Sequence, residues 1–155
     1  MKILIIEDSK VEARILGQTL QRIMDDPVSV RHTSTLQDGL SVLMSEQDDI
    51  DLVFLDLKLS DSTEWEDTYD TIVPYTRKIP VIVMSANDDK DVARDILRRG
   101  AEDYIVKGGK KRSTDMLKES IEFALCRHDL LKKLSSRVTQ DDQQMHWVTG
   151  GYSVE

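Results

Sequence analysis

Short apolar runs in this chain end in residues that can do chemistry. Leu52-Val53-Phe54-Leu55 stops at Asp56, Ile3-Leu4-Ile5-Ile6 stops at Glu7-Asp8, Val81-Ile82-Val83-Met84 stops at Ser85, and Tyr104-Ile105-Val106 stops at Lys107. Unbroken apolar runs with β-branched and aromatic members are the pattern of strands buried on both faces. Such a strand has no packing use for a terminal aspartate, so Asp56 is the residue that needs a functional account. Strand ends of a parallel α/β sheet open on one side, and ligands bind where the strand order reverses. Three acids, a hydroxyl and an ammonium are thereby placed for one crevice. Carboxylates gathered without a counter-charge repel, and one takes up a proton. A divalent cation resolves that repulsion, and an all-oxygen set with room for water suits Mg²⁺.

The positioning elements follow from periodicity. Lys2 to Ile6 reads as the first strand, and residues 10 to 24 as a helix with apolar positions at Val11, Ile15, Leu16, Leu20 and Ile23, N-capped by Ser9. Pro27 ends that helix, because the residue before a proline avoids helical geometry. Val28 to Arg31 is a short strand near an edge, Thr35 to Ser45 a second helix with Leu36, Leu40, Leu43 and Met44, and Glu64 to Tyr75 a sparsely apolar third in which Trp65 is either core or exposed. Asp88 to Arg99 gives a charged helix with Val92, Ile96 and Leu97 inward, closed by Gly100. Asp103 to Val106 is the fifth strand, Gly108-Gly109 a turn, and Thr114 to about Leu134 a long last helix, followed by a polar tail from Gln140 whose apolar members are Met145, Trp147 and Val148. Strands alternating with helices imply a parallel sheet with right-handed crossovers.

The 155 residues suit one domain, and the net charge of −8 argues against a generally nucleic-acid-binding surface. Lys107 to Arg137 is locally basic, as befits a solvated helix. The one cysteine, Cys126, cannot form an internal disulfide. No run approaches the length of a membrane span and Met1 leads straight into a strand, so the expected location is cytoplasmic, with no membrane partner. His32, His128 and His146 lack metal-ligand spacing with Cys126, and no Gly-rich phosphate loop or nucleophile elbow is present.

Glu7-Asp8, Asp56, Ser85, Tyr104 and Lys107, in that order on alternating β/α units, resemble the receiver domain of two-component response regulators, over residues 1 to 128. The resemblance implies a flavodoxin-like (βα)5 three-layer sandwich, its five-stranded parallel sheet in the order 2-1-3-4-5, with an extended C-terminal helix. It implies Mg²⁺ held by Asp8, Asp56 and the Lys58 backbone carbonyl, with Glu7 acting through water. Asp56 would attack a phosphohistidine of a histidine kinase or phosphotransfer protein and become an aspartyl phosphate. Lys107 and Ser85 would stabilise the phosphoryl oxygens, Ser85 and Tyr104 would switch packing, and Lys58 and Asn87 would set the phosphoryl lifetime. The bland alternatives are a surface lysine at 107 and a half-buried strand aromatic at 104.

The sequence departs from that family at Gly108, where proline is usual, and at Ser60. The stretch Gly100 to Gly108 resembles a subgroup that carries Lys-Gly, often ahead of sensor, kinase or diguanylate cyclase modules. Residues 129 to 155 read as a helix extension and polar tail with no effector or DNA-binding domain. The leading expectation is a non-enzymatic regulator acting on a downstream protein target. The alternatives are the N-terminal regulatory module of a longer enzyme and a phosphorylation-independent interaction module. Leu131, Leu134 and Val138 continue the stripe of Leu117, Ile121, Ala124 and Leu125, so the last helix is expected either to support a homodimer, together with the fourth helix and fifth strand, or to be covered by a tail folding back through Met145, Trp147 and Val148.

Overall fold

The computed structural model describes residues 1–108 and 114–149, with side chains through residue 140. Strands β1 (Lys2–Ile6), β2 (Ser29–Thr33), β3 (Leu52–Asp56), β4 (Val81–Ser85) and β5 (Asp103–Val106) alternate with helices α1 (Lys10–Ile23), α2 (Leu36–Glu46), α3 (Trp65–Ile72), α4 (Lys90–Arg98) and α5 (Thr114–Thr149). All four strand pairings are parallel, in the order β2-β1-β3-β4-β5. This is the flavodoxin-like architecture that the resemblance implies.

Side-chain alternation along the strands divides the core into two layers. Leu4, Ile6, Val53, Leu55, Val81 and Val83 face one side, where Leu43 of α2, Tyr69 and Ile72 of α3 and Ile96 of α4 cover them. Ile3, Ile5, Leu52, Phe54, Ile82 and Met84 face the other, under Ala13 and Leu20 of α1 and Ile121 and Ala124 of α5. Each fully buried Leu or Ile contributes about 1.5–3 kcal/mol. The two-sided cover explains why β1, β3 and β4 read as unbroken apolar runs. Gly39 lets α2 lie against β1, since a Cβ there would stand 2.5 Å from the Ile6 Cδ1.

Several expectations need correction. In α1 the covered positions are Ala13, Gly17 and Leu20, while Val11 and Ile15 are exposed. Met44 of α2 and Leu97 of α4 are exposed too. In each case an apolar type marked a helix without marking its inner face. Trp65 is partly buried against the core, with the Arg99 guanidinium 5.1 Å above its ring. The β2 strand runs to Thr33, beyond Arg31.

The last helix is the largest departure. It continues to Thr149, rather than ending near Leu134, so residues 145 to 148 lie on the same continuous helix as Leu131 and do not fold back over it. The side chains of Met145, Trp147 and Val148 lie outside the described residues, as does Gly109. Among the described residues no helix is long and apolar enough to cross a membrane.

Candidate functional site

β1 and β3 are adjacent, and the chain leaves β1 for β2 on one side before returning to β3 on the other. That reversal opens a crevice beyond their C-terminal ends. A cavity of about 430 Å³ there is lined by Glu7, Asp8, Ser9, Glu12, Asp56, Lys58, Ala86, Lys107 and Gly108. Four carboxylates therefore face two ammonium groups.

Glu7 and Asp56 are only 1% and 4% exposed. Both bond to Lys107, whose Nζ lies 2.5 Å from Glu7 Oε2 and 2.8 Å from Asp56 Oδ2. The same ammonium lies 2.6 Å from Glu12 Oε2. Their other oxygens are also engaged: the Lys58 amide donates to Asp56 Oδ1 at 3.0 Å and the Ser9 amide donates to Glu7 Oε1 at 3.0 Å. Asp8 is exposed and has no hydrogen-bond or ion-pair partner among the described residues.

One ammonium shared among three carboxylates cannot neutralise them. Burial, with a smaller push from the Asp56 charge, raises the Glu7 carboxyl from 4.5 to about 7 against the lowering effect of its bonds to Lys107 and Ser9. Burial pulls the Lys107 ammonium down, but bonds to Asp56, Glu12 and Glu7 outweigh it and hold the group well above its ordinary value. Lys107 thus stays charged, and Glu7 is the acid that yields.

Oxygens of Glu7, Asp8 and Asp56 lie within 4.8 Å of one another. This all-carboxylate set, with excess negative charge and a solvent-facing member in Asp8, fits a hard divalent cation that keeps some of its water.

Lys107 enters the crevice through backbone geometry. Its amide donates to the Ser85 carbonyl at 2.8 Å, extending the β4–β5 pairing, and the chain then turns at Gly108 with φ +68°. No cis peptide occurs among the described residues, and Gly108 makes the turn after Lys107 by a left-handed conformation that suits glycine.

Ser85, Asn87 and Tyr104 form a second group beside the acids. Ser85 is 4% exposed, and its Oγ accepts the Asn87 amide at 3.1 Å. Tyr104 is 7% exposed, and its hydroxyl donates to the Asn87 carbonyl at 2.8 Å. Ala86, rather than Ser85, faces the cavity. The structure brings Glu7, Asp8, Asp56, Lys58 and Lys107 to one crevice, whereas Ser85, expected in that crevice, joins Asn87 and Tyr104 in a network beside it.

Sequence reasoning missed three supporting residues. Glu12 reaches Lys107 from α1, and its only sequence signal is the Ser9-x-x-Glu12 spacing. His32 Nε2 donates to the Glu7 carbonyl at 2.8 Å across the β1–β2 edge, with no local signal at all. Asp61, in the loop after Asp56, accepts the Leu36 and Gln37 amides at 2.8 and 3.0 Å and so ties that loop to the start of α2.

The sequence matches the family described as Response regulator receiver domain over residues 3–119. Among solved structures it is similar to the signal receiver domain of a LuxO repressor protein from Vibrio parahaemolyticus, with 29% identity and a TM-score of 0.70, over 86% of this chain and 95% of that one. A response regulator receiver domain protein from Clostridium thermocellum is 25% identical, with a TM-score of 0.71 over 84% and 98% of the two chains. A CheY-like receiver protein from Methanospirillum hungatei is 22% identical, with a TM-score of 0.66 over 83% and 95%, and supports the fold. No curated protein matches the sequence.

Proposed function

Because the chain belongs to the response regulator receiver domain family, we propose that it accepts a phosphoryl group on Asp56 from a histidine kinase or phosphotransfer protein and signals through protein contacts. The observation that carries this reading is Asp56 itself: buried, at the end of a core strand, with one oxygen on Lys107 and the other on the Lys58 amide. A carboxylate oxygen attacks phosphorus, the P–N bond to the donor histidine breaks, and an acyl phosphate forms. Transfer of this kind depends on positioning and charge neutralisation more than on covalent chemistry. Asp8, Asp56, the Lys58 carbonyl and, through water, Glu7 are the residues that would hold Mg²⁺. Bound there, the cation supplies positive charge to the carboxylates and phosphoryl oxygens.

Lys107 would transfer its hydrogen bond from Asp56 to a phosphoryl oxygen. Ser85 would turn its hydroxyl proton toward another while its Oγ keeps the Asn87 amide, so that a shift of Ser85 draws Asn87 with it. Since Tyr104 holds the carbonyl of that same Asn87, movement at Ser85 is felt at the β5 face, which biases packing between two states. Residues 1–128 constitute the receiver unit in this reading, with no further enzymatic activity, and residues 129–155 extend it toward a partner or a second copy.

Incubation of the full chain with a small phosphodonor and Mg²⁺ should add one phosphoryl group by mass, and Asp56→Asn should add none. Equal labelling of the variant would remove the reading. The lifetime of the group falls to Lys58 and Asn87, each two residues past Asp56 and Ser85. Neither is an acid able to orient water as a base, so decay should be slow. Unchanged decay in both Lys58→Ala and Asn87→Ala would overturn that assignment.

A second reading takes the chain as the regulatory module of a longer protein. The continuous helix to Thr149 favours it, as a rigid connection through which a switch in the receiver could act on another module.

A further inference from the structure

Ser9-x-x-Glu12 has the spacing of a capping box, in which the N-cap serine accepts the amide three residues on and the glutamate returns to the serine amide. Only half of the box is made. Ser9 Oγ accepts the Glu12 amide at 3.3 Å, but the Ser9 amide donates to Glu7 Oε1 at 3.0 Å. Glu12, left out of its local bond, reaches the Lys107 ammonium at 2.6 Å instead. Glu7 meanwhile spends its second oxygen on Lys107.

Both Glu7 oxygens already accept a protein donor, so a divalent cation that draws on either one, directly or through its water, competes with the Ser9 amide or with Lys107. The Ser9 amide has a ready replacement acceptor within its own helix turn, and that acceptor is Glu12. Closing the box withdraws Glu12 from Lys107 just when Lys107 is needed on a phosphoryl oxygen.

The geometry points to Glu12 as a positioning residue that alternates between the Lys107 ammonium and the Ser9 amide, occupying one of the lysine's three N–H donors beside those on Glu7 and Asp56 in the resting site and freeing it for a phosphoryl oxygen when Glu7 changes partner. This inference rests on the phosphoacceptor reading above. Glu12 touches no reacting atom and acts through Lys107 alone.

Two substitutions separate its two bonds. Glu12→Gln can still close the capping box but cannot form the ion pair. Its affinity for beryllofluoride in Mg²⁺, a phosphoryl mimic, should rise roughly two- to fivefold, the reach of a partly exposed ion pair. Glu12→Ala can do neither. In the wild-type chain the Ser9 amide should stay protected from hydrogen exchange with and without Mg²⁺, first by Glu7 and then by Glu12. In Glu12→Ala it should be protected without Mg²⁺ and exchange faster once Mg²⁺ is added.

Equal beryllofluoride affinity in wild type and Glu12→Gln, or Ser9 exchange in Glu12→Ala that Mg²⁺ leaves unchanged, overturns the role of Glu12 while leaving the phosphoacceptor intact. Failure of both wild type and Glu12→Gln to bind beryllofluoride with Mg²⁺ would sink the phosphoacceptor reading, and this inference with it.

Discussion

At the C-terminal ends of the strands, carboxylates and an ammonium are buried where a fold alone would place Leu or Val. Beyond the other end of the sheet, α5 carries Leu130, Leu131, Leu134 and Val138 into solvent, where a fold alone would place Lys or Glu. The two regions invert the rule of apolar inside and charged outside in opposite senses. Buried polar groups are costly unless paired and hydrogen-bonded, and exposed apolar ones wait for a surface. The crevice therefore stores electrostatic stress in the folded monomer, whereas the distal helix stores nothing in the monomer and depends on what it meets. Perturbing the first should change stability, and perturbing the second should change association.

The sharpest test of the stressed end is pH. Glu7 has an ordinary value of 4.5 and rises to about 7 in the folded protein, mainly through burial. Below pH 4.5 it is protonated in both states and costs nothing. Between 4.5 and 7 the unfolded chain ionises it while the fold keeps it neutral, so the relative stability of the fold is lost as pH rises through 7. A shift of this size corresponds to roughly 3 kcal/mol. Urea unfolding in a chelator should show wild type losing more stability than Glu7→Gln between pH 4.5 and pH 8, and Mg²⁺ should reduce the difference. Parallel losses in the two proteins would show that the crevice is relaxed.

Asp61 gives a smaller effect at the same end. Burial works to raise its carboxyl, but the Gln37 and Leu36 amides outweigh it and hold the group below its usual range. Asp61→Ala strips two donors at the start of α2 of their acceptor, leaving the Thr35 hydroxyl on the Asp38 amide as the remaining cap. The expected cost is about 1 kcal/mol, since the site is exposed and water replaces part of the bond. An unchanged urea midpoint would mean that the loop after Asp56 is not tied to α2 in solution.

What the sequence disclosed differs between the two regions for a physical reason. The strands were legible because two-sided burial writes itself as unbroken apolar runs, and Asp56 stood out because it interrupts that logic. Asp61, His32 and Glu12 were not, because their bonds join residues distant in the chain or exploit a local motif left half-made. Val11, Ile15 and Leu97 misled because an apolar residue on an outer helix face looks the same in sequence as one on the inner face. The length of α5 was hidden because its contact with the core layer ends at Leu125, well before the helix does. Farther along, its turns are supported by pairs such as Lys133 with Asp129 at 2.6 Å, and the polar run from Gln140 to Gln144 reads in sequence as a tail.

Cutting the chain after Arg127 should therefore have the smallest effect on stability and the clearest effect on mass. Among the residues of α5 whose side chains are described, Ile121 and Ala124 are the last buried ones, and both remain. So does the Arg127 bond to Glu102 at 2.7 Å; the cut removes the neighbouring His128 bond to the same carboxylate at 2.9 Å. One partly exposed pair of this kind is worth at most about 1 kcal/mol. A straight helix from Thr114 to Thr149 is about 54 Å long at 1.5 Å per residue, far beyond the sheet it starts against. Along the extension Leu131, Leu134 and Val138 follow the three-and-four spacing of a two-helix seam, and Met145 and Val148 continue it in sequence, with Asp141 as a polar interruption. That pattern favours a modest parallel dimer that strengthens with concentration. Sedimentation should show the intact chain associating and the shortened chain monomeric, with nearly equal urea midpoints at low concentration. A monomer in both at high concentration, with and without a phosphoryl mimic, would mean that the exposed stripe serves a different partner. A large drop in the midpoint of the shortened chain would mean instead that the extension belongs to the receiver's own stability, and the contrast between the two ends would fail.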